Sequence, residues 1–280
     1  MLVNMSEYVA EASRTERIVP GFNVFGYEDA YAVIRAAERF GAPVILMSNS
    51  DAVEHMEISS SVALYKSLAE STEIPVCIHL DHAKTLELIQ KAIKAGYTSV
   101  MYDGSALPLE ENIGNTVRVL DLAAKFNVSV EAELGSIPYT DRNAEIESIL
   151  TTPAEAGEFI KRAPVDALAV AVGSLHRMQA QTARLDFNRI SAIESRVDVP
   201  LVIHGFTGVV DEDVEKLLPT KVGKVNIGTA LRLAFGKAMK AEIASNPDEY
   251  DRVKLFKKPM DAVQAVAENK YRLFGWDQKE

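Results

Sequence analysis

One cysteine, Cys77, is all the thiol chemistry that 280 residues carry, so no internal disulfide can staple the chain. That scarcity suits a reducing compartment, and a cytoplasmic setting is expected. Also missing is any apolar run long enough to cross a membrane, and residues 1–20 intersperse charges where a signal peptide would be apolar. No membrane partner is expected. Positive charge is in deficit as well: 30 Lys and Arg stand against 40 Asp and Glu, for a formal net charge of −10. A surface of that sign argues against nucleic acid as a partner. It leaves phosphorylated small molecules open, because backbone N–H groups can bind phosphate whatever the global charge. Finally, there is no sequence repeat, no linker and no Gly-rich dinucleotide turn near the start.

What is present is an ordinary globular composition, 48% hydrophobic and 25% charged, enough for a large core. Hydrophobic patterning predicts strands at residues 18–22, 43–47, 75–80, 99–102, 128–134, 167–172, 200–203 and 224–227. Helical spacing falls between and after them at 27–40, 58–69, 86–95, 113–125, 153–162, 187–196, 212–218 and 229–243. The strands are apolar on both faces, as parallel strands buried on both sides must be. Eight strands alternating with eight helices predict an α/β fold, a (β/α)8 TIM barrel, as a single domain over residues 1–280. An extra C-terminal helix is expected near 260–273. The competing doubly wound sheet would normally carry the dinucleotide turn that is missing.

In such a barrel the residues that do chemistry lie just past the strand C-termini. Those positions read Asn23, Ser48, Asp81 with His82, Asp103, Glu131 with Glu133, His176, His204, and Asn226 with Thr229. Among five histidines, His82, His176 and His204 follow apolar runs in the same way. Three imidazoles leave a fourth position open on Zn²⁺, the arrangement of a catalytic site. His55 is expected to be exposed in a polar loop, and His79 to be a hydrogen-bonded wall residue. Asp81 could be a ligand, a partner of a histidine or a general acid/base; with the ligand count already met, the last is favoured. Since side chains alternate along a strand, Asp81 and His82 converge only if the strand has ended there. Glu131 and Glu133 share one strand face, either as a salt-bridged barrel interior or as a second cation position with Asp103. HGFTG at 204–208 and NIGT at 226–229 are Gly-containing turns carrying a hydroxyl, where barrel phosphate sites tend to lie. Residues 135–149 form a long polar loop of the kind that serves as a lid.

These residues resemble the class II, metal-dependent fructose-/tagatose-bisphosphate aldolase family. The likeness runs from Gly21-Phe22-Asn23 to Tyr271-Arg272-Leu273-Phe274-Gly275, with HLDH at 79–82, VEAELG at 130–135, AVGSLH at 171–176, HGFTG and NIGT as its most specific pieces. It implies a zinc aldolase that splits a ketose 1-phosphate or ketose bisphosphate into dihydroxyacetone phosphate and an aldehyde. His82, His176 and His204 would hold Zn²⁺, and Asp81 would move the proton of the hydroxyl at the breaking bond. Asp103 and Glu133 match residues for a second cation, divalent or monovalent. Gly205, Thr207, Asn226, Gly228 and Thr229 match positions that bind the phosphorylated sugar substrate, with Asn23 and Ser48 joining them. Arg252 resembles an arginine that reaches a neighbouring subunit's site, which implies a homodimer or homotetramer.

Three departures from the family pattern stand out. Arg177 replaces the glycine usual after the second zinc histidine, and Phe206 replaces a small residue. The lid, normally Gly-Gly followed by acidic residues, reads Pro138-Tyr139-Thr140-Asp141-Arg142, which puts Asp141 in the place of a catalytic lid glutamate. Arg177 and Arg142 are expected to recognise an acidic group, a phosphate, carboxylate or sulfonate, on a substrate other than fructose bisphosphate. Two other readings compete: a barrel metallohydrolase, which would favour His-x-His on a first strand that here offers only Asn23, and a degenerate aldolase used as a binding or regulatory protein.

Overall fold

The computed structural model describes residues 1–138 and 149–277. Eight parallel strands close into a barrel in chain order: β1 (Val19–Asn23), β2 (Val44–Ser48), β3 (Val76–Ala83), β4 (Ser99–Tyr102), β5 (Ser129–Leu134), β6 (Ala167–Val170), β7 (Leu201–Ile203) and β8 (Val222–Ile227), with β8 pairing back onto β1. A ring of helices surrounds it: α2 (Tyr27–Phe40), α4 (Ile58–Glu70), α5 (Leu86–Ala95), α6 (Leu109–Ala123), α7 (Pro153–Arg162), α8 (Phe187–Glu194), α9 (Asp211–Leu217) and α10 (Thr229–Ser245). The alternation of each strand divides its residues between two cores. Outward-facing residues such as Phe22, Leu46, Ile78, Val100 and Leu168 pack under the helices. Inward-facing Val19, Ile45, Met47, Cys77, Ala167, Ala169 and Val202 fill the lower barrel.

Two short helices, α1 (Ser6–Ala12) and α3 (Ser50–His55), were not predicted from the sequence. Helix α1 plugs the barrel's N-terminal end with Met5, Val9 and Ala12 against the inner cluster. At seven residues it is too short for its apolar spacing to stand out from the surrounding chain. Helix α3 begins at the Asn49 cap, whose side chain accepts from the Ala52 N–H, and it puts exposed His55 on a helix end instead of a loop. The last helix, α11, runs Arg252–Leu273, starting eight residues before the predicted 260. Pro259 lies inside this helix, buried, where packing against α2 and α10 offsets the lost N–H.

Candidate metal centre and active site

Leu80 pairs with Val100 and Ala83 with Tyr102, so β3 spends three steps where β4 spends two. The extra residue is a bulge, and within it His82 takes the left-handed conformation at φ 54°. The strand therefore continues past Asp81 and His82, against the expectation that it must end there. The bulge breaks the alternation instead and delivers both side chains to the barrel mouth. A non-glycine residue in that conformation costs about 1–2 kcal/mol, which the surrounding structure has to offset.

His82, His176 and His204 each offer a ring nitrogen to one group able to hold a metal ion, within 4.8 Å of one another. Hydrogen bonding assigns two of the tautomers. Asp103 Oδ2 lies 3.0 Å from His82 Nδ1, and Glu131 Oε1 lies 2.7 Å from His204 Nε2. Each carboxylate takes the proton-bearing nitrogen and leaves the other with a lone pair. Those two nitrogens, His82 Nε2 and His204 Nδ1, face each other at 3.0 Å. Close by, Glu133 Oε2 is buried without a hydrogen-bond partner among the described residues, 3.5 Å from His204 Nδ1 and 3.7 Å from His82 Nδ1. Converging imidazole lone pairs and an orphaned carboxylate oxygen are what a bound cation would satisfy. His82, Asp103 and Glu133 form a second such group. Asp103 is already engaged, since its other oxygen accepts from the Ser105 N–H and hydroxyl.

The charges set His82 apart from the other two rings. Burial, reinforced by the His82 charge, holds His176 and His204 well below the usual imidazole range, in the neutral form that ligates. Burial works against protonation of His82 too, but Asp81, Asp103 and Glu133 outweigh it and push that ring up to about 10, so Nε2 presents its lone pair only where a cation takes the place of the proton. Burial raises Glu133 to about 8, with the neighbouring carboxylates adding to the effect. A pocket this rich in carboxylates needs positive charge.

Asp81 is buried and tethered at both oxygens. Asn23 Nδ2 donates to Oδ2 at 2.8 Å and Asn226 Nδ2 to Oδ1 at 3.1 Å. Burial would raise its pKa, but the charges of His82 and Lys224 and the Asn23 bond bring it below the ordinary carboxylate value. Asp81 is thus an ionised carboxylate held in one orientation beside the histidines. His79, in the wall below, bonds Ser99 Oγ through Nδ1 at 2.8 Å. Glu131 and Glu133 have separate environments: Glu131 pairs with Lys224 at 2.8 Å in the interior, and Glu133 faces the histidines.

The cavity above Asp81, His82 and His176 is walled on one side by Asn23, Gly205, Thr207, Asn226, Gly228 and Thr229. Gly205 has φ 65°, and a Cβ there would meet the Leu175 carbonyl oxygen at 2.5 Å, so this turn requires glycine. Thr207 Oγ1 accepts from the Ala230 N–H in the first turn of α10, joining the two Gly-containing loops. Phe206 turns away from the cavity, fully buried and edge-on to Phe274, so that departure is a matter of core packing. The lining also includes Arg177 and residues that sequence reasoning missed: Phe25, Asn49, Ser50, Asp51 and Arg232. Asp51 Oδ2 lies 3.3 Å from Arg177 and 3.5 Å from Arg232, whose guanidinium stacks over Phe25. The signal for Arg232 was its position one turn into the helix that follows NIGT. Ser48 is buried and does not line the cavity; the three residues after it do. Arg252 is outside its own chain's cavity, paired with Glu28 at 3.0 Å and lying over Phe256. Asp141 and Arg142 lie outside the described residues. The polar loop that carries them is pinned at its base by an antiparallel bridge between Ser136 and Ile149.

A parallel (β/α)8 barrel whose mouth gathers histidines, a tethered aspartate and Gly-containing loops has the groups of a barrel enzyme that works on a small anionic substrate. The sequence matches the family model for class-II fructose-bisphosphate aldolases over residues 3–279. The chain belongs to that family. Its fold is similar to that of the YdjI aldolase from Escherichia coli K12, at 31% identity and a TM-score of 0.86, covering 100% of this chain and 99% of that one. A protein from Coccidioides immitis assigned as a fructose-1,6-bisphosphate aldolase is 28% identical with a TM-score of 0.88, covering 98% and 96%. The fructose-bisphosphate aldolase of Campylobacter jejuni, at 20% identity, shares the fold with a TM-score of 0.84 over 98% of this chain and 95% of that one. The protein is an aldolase, a carbon–carbon lyase. Among the described residues no helix is long and apolar enough to cross a membrane.

Proposed function

We propose that this aldolase is zinc-dependent and cleaves a ketose 1-phosphate, bearing a second acidic group at its far end, into dihydroxyacetone phosphate and an aldehyde. The observation that carries the reading is Asp81, tethered by two amides beside three converging histidines. His82, His176 and His204 would hold the ion, with Glu133 Oε2 nearest to them and the Asp103–Glu133 side open to a second cation, divalent or monovalent. When bound, the ion supplies Lewis-acid stabilisation of the negative charge that develops on the substrate carbonyl oxygen.

The chain's own residues carry the remaining steps. Asp81 takes the proton of the C4 hydroxyl as the C3–C4 bond breaks; the bonding pair moves toward the C2 carbonyl, and C4 leaves as the aldehyde. Asn23 and Asn226 keep both Asp81 oxygens in place during the transfer. The proton that completes dihydroxyacetone phosphate at C3 is assigned to Asp141 on the lid. Backbone N–H groups of Gly205, Gly228 and Thr229, at the start of α10, suit the 1-phosphate, with the Thr207 hydroxyl beside them. Arg177, with Arg232 on the same Asp51, suits the distal acidic group, and Arg142 is assigned to the same task. Arg252 is assigned to the neighbouring subunit's site in a homodimer or homotetramer, and the setting is cytoplasmic.

A coupled assay for dihydroxyacetone phosphate across ketose 1-phosphates ending in phosphate, carboxylate, sulfonate or a neutral group tests the proposal. The expected result is cleavage that favours a distal acid other than that of fructose bisphosphate and weakens in Arg177→Gly. If fructose bisphosphate is cleaved best and Arg177→Gly changes nothing, the assignment of the distal group is wrong.

A further inference from the structure

Lys224 is a lysine with no access to solvent, held inside the barrel below the active site. The register between β7 and β8 shifts between Leu201 and Val202, so that Lys224 pairs with Val202 and faces inward. Gly21 on β1 makes room for it: a Cβ there would come within 3.2 Å of the lysine's Cε. Nζ donates to two acceptors, Glu131 Oε2 at 2.8 Å and Asn226 Oδ1 at 2.7 Å. Each leads to a different half of the site. Through Glu131, whose other oxygen lies 2.7 Å from His204 Nε2, the lysine bears on the nitrogen that His204 turns away from the cavity. Through Asn226 it bears on Asp81: with Oδ1 taken by the lysine, the amide must present Nδ2, which donates to Asp81 Oδ1 at 3.1 Å.

We infer that Lys224 is a positioning residue that fixes the Asn226 amide and the Glu131 carboxylate together, and so sets the aim of Asp81 and of His204 from one buried amine. It touches neither substrate nor the metal group. The ionised Asp81 already selects the amide's Nδ2 face; Lys224 Nζ on Oδ1 holds the opposite end of the same amide and so fixes its position as well as its flip. The inference rests on Asp81 being the proton acceptor of the proposed cleavage.

Two variants separate a positioning role from simple charge balance. Lys224→Met removes the donor and keeps an unbranched side chain one atom shorter, but it leaves the Glu131 carboxylate buried without its cation. The double variant Lys224→Met/Glu131→Gln removes that charge as well. The amide introduced by Glu131→Gln can still accept from His204. It can also donate to His79 Nε2, which has no hydrogen-bond partner among the described residues and lies 3.9 Å from Glu131 Oε2. Measured on the full-length, zinc-loaded protein, the double variant should recover the thermal midpoint and bound zinc of the native enzyme. Its kcat should remain about 100-fold low with KM within about 3-fold, the signature of a misaimed Asp81. A kcat within about 3-fold of native in either variant would overturn the inference, because a free Asn226 amide would then suffice. Asp81→Ala is the control for the underlying reading: if that variant keeps full activity, the assignment of Asp81 fails and the inference falls with it, whereas a lost activity there beside native kcat in the Lys224 variants overturns the inference alone.

Discussion

Arg177 has φ 60°, a conformation open to glycine at no cost and expensive for a residue with a Cβ. Its guanidinium reaches Asp51 at the cavity wall. Under the proposed function this strained position is where the substrate's distal acid meets a cation. Arg177→Gly is therefore expected to raise unfolding stability by about 0.5–1 kcal/mol in a denaturant titration, while raising KM for a substrate with a distal acid by about ten-fold or more. A destabilised variant with unchanged KM would mean that Arg177 is only a surface ion pair. Lys224→Ala should behave in the opposite way. It strands the buried Glu131 carboxylate and should cost about 3–5 kcal/mol in the same titration, with much of that recovered by adding Glu131→Gln.

At the scale of elements, the Gly-containing turn after β7 and the plug at the barrel bottom are the most exposed to test. Gly205→Ala would place a methyl 2.5 Å from the Leu175 carbonyl oxygen in a left-handed conformation. It should cost about 1–3 kcal/mol and weaken binding of dihydroxyacetone phosphate measured by calorimetry. Helix α1 seals the inner cluster around Cys77, whose thiol burial raises to about 12. Deleting residues 1–13 should make Cys77 react with a thiol reagent that the intact protein resists. Continued inertness would show that the strands alone close the barrel. The strands and surrounding helices were legible in the sequence because each is a run of apolar residues with a clear period. Helices α1 and α3 were not, because so few residues carry too little period, and their capture by tertiary contacts is invisible locally. The convergence of Asp81 and His82 was legible as a need but not in its cause, since nothing in HLDH announces a bulge.

At the scale of the whole molecule, the histidines and carboxylates of the mouth come from separate strands or the loops after them, and the barrel alone makes them neighbours. Their identities were readable one strand end at a time. Which carboxylate served which histidine was not, because Asp103 and Glu131 are separated from His82 and His204 by 21 and 73 positions in the chain. Arg232 and Asp51 were missed for the same reason, as their partnership across 181 positions exists only in the closed barrel. A cation that joins groups from β3, β5, β6 and β7 should stabilise the native state of the entire fold. Chelation should lower the thermal midpoint, and zinc at about 1,000 times its Kd should return about 4 kcal/mol. Sedimentation should find dimers or larger assemblies, and a monomer with full activity would remove Arg252 from the site.

The most direct test of the central claim is the rate of dihydroxyacetone phosphate release from a ketose 1-phosphate, measured on chelator-treated protein, on the same protein reloaded with zinc, and on zinc-loaded Asp81→Ala. Activity should vanish with the metal, return with zinc, and stay lost in Asp81→Ala by about 100-fold or more. Cleavage that persists both after chelation and in Asp81→Ala would contradict a mechanism in which the tethered aspartate and the histidine-held ion act together.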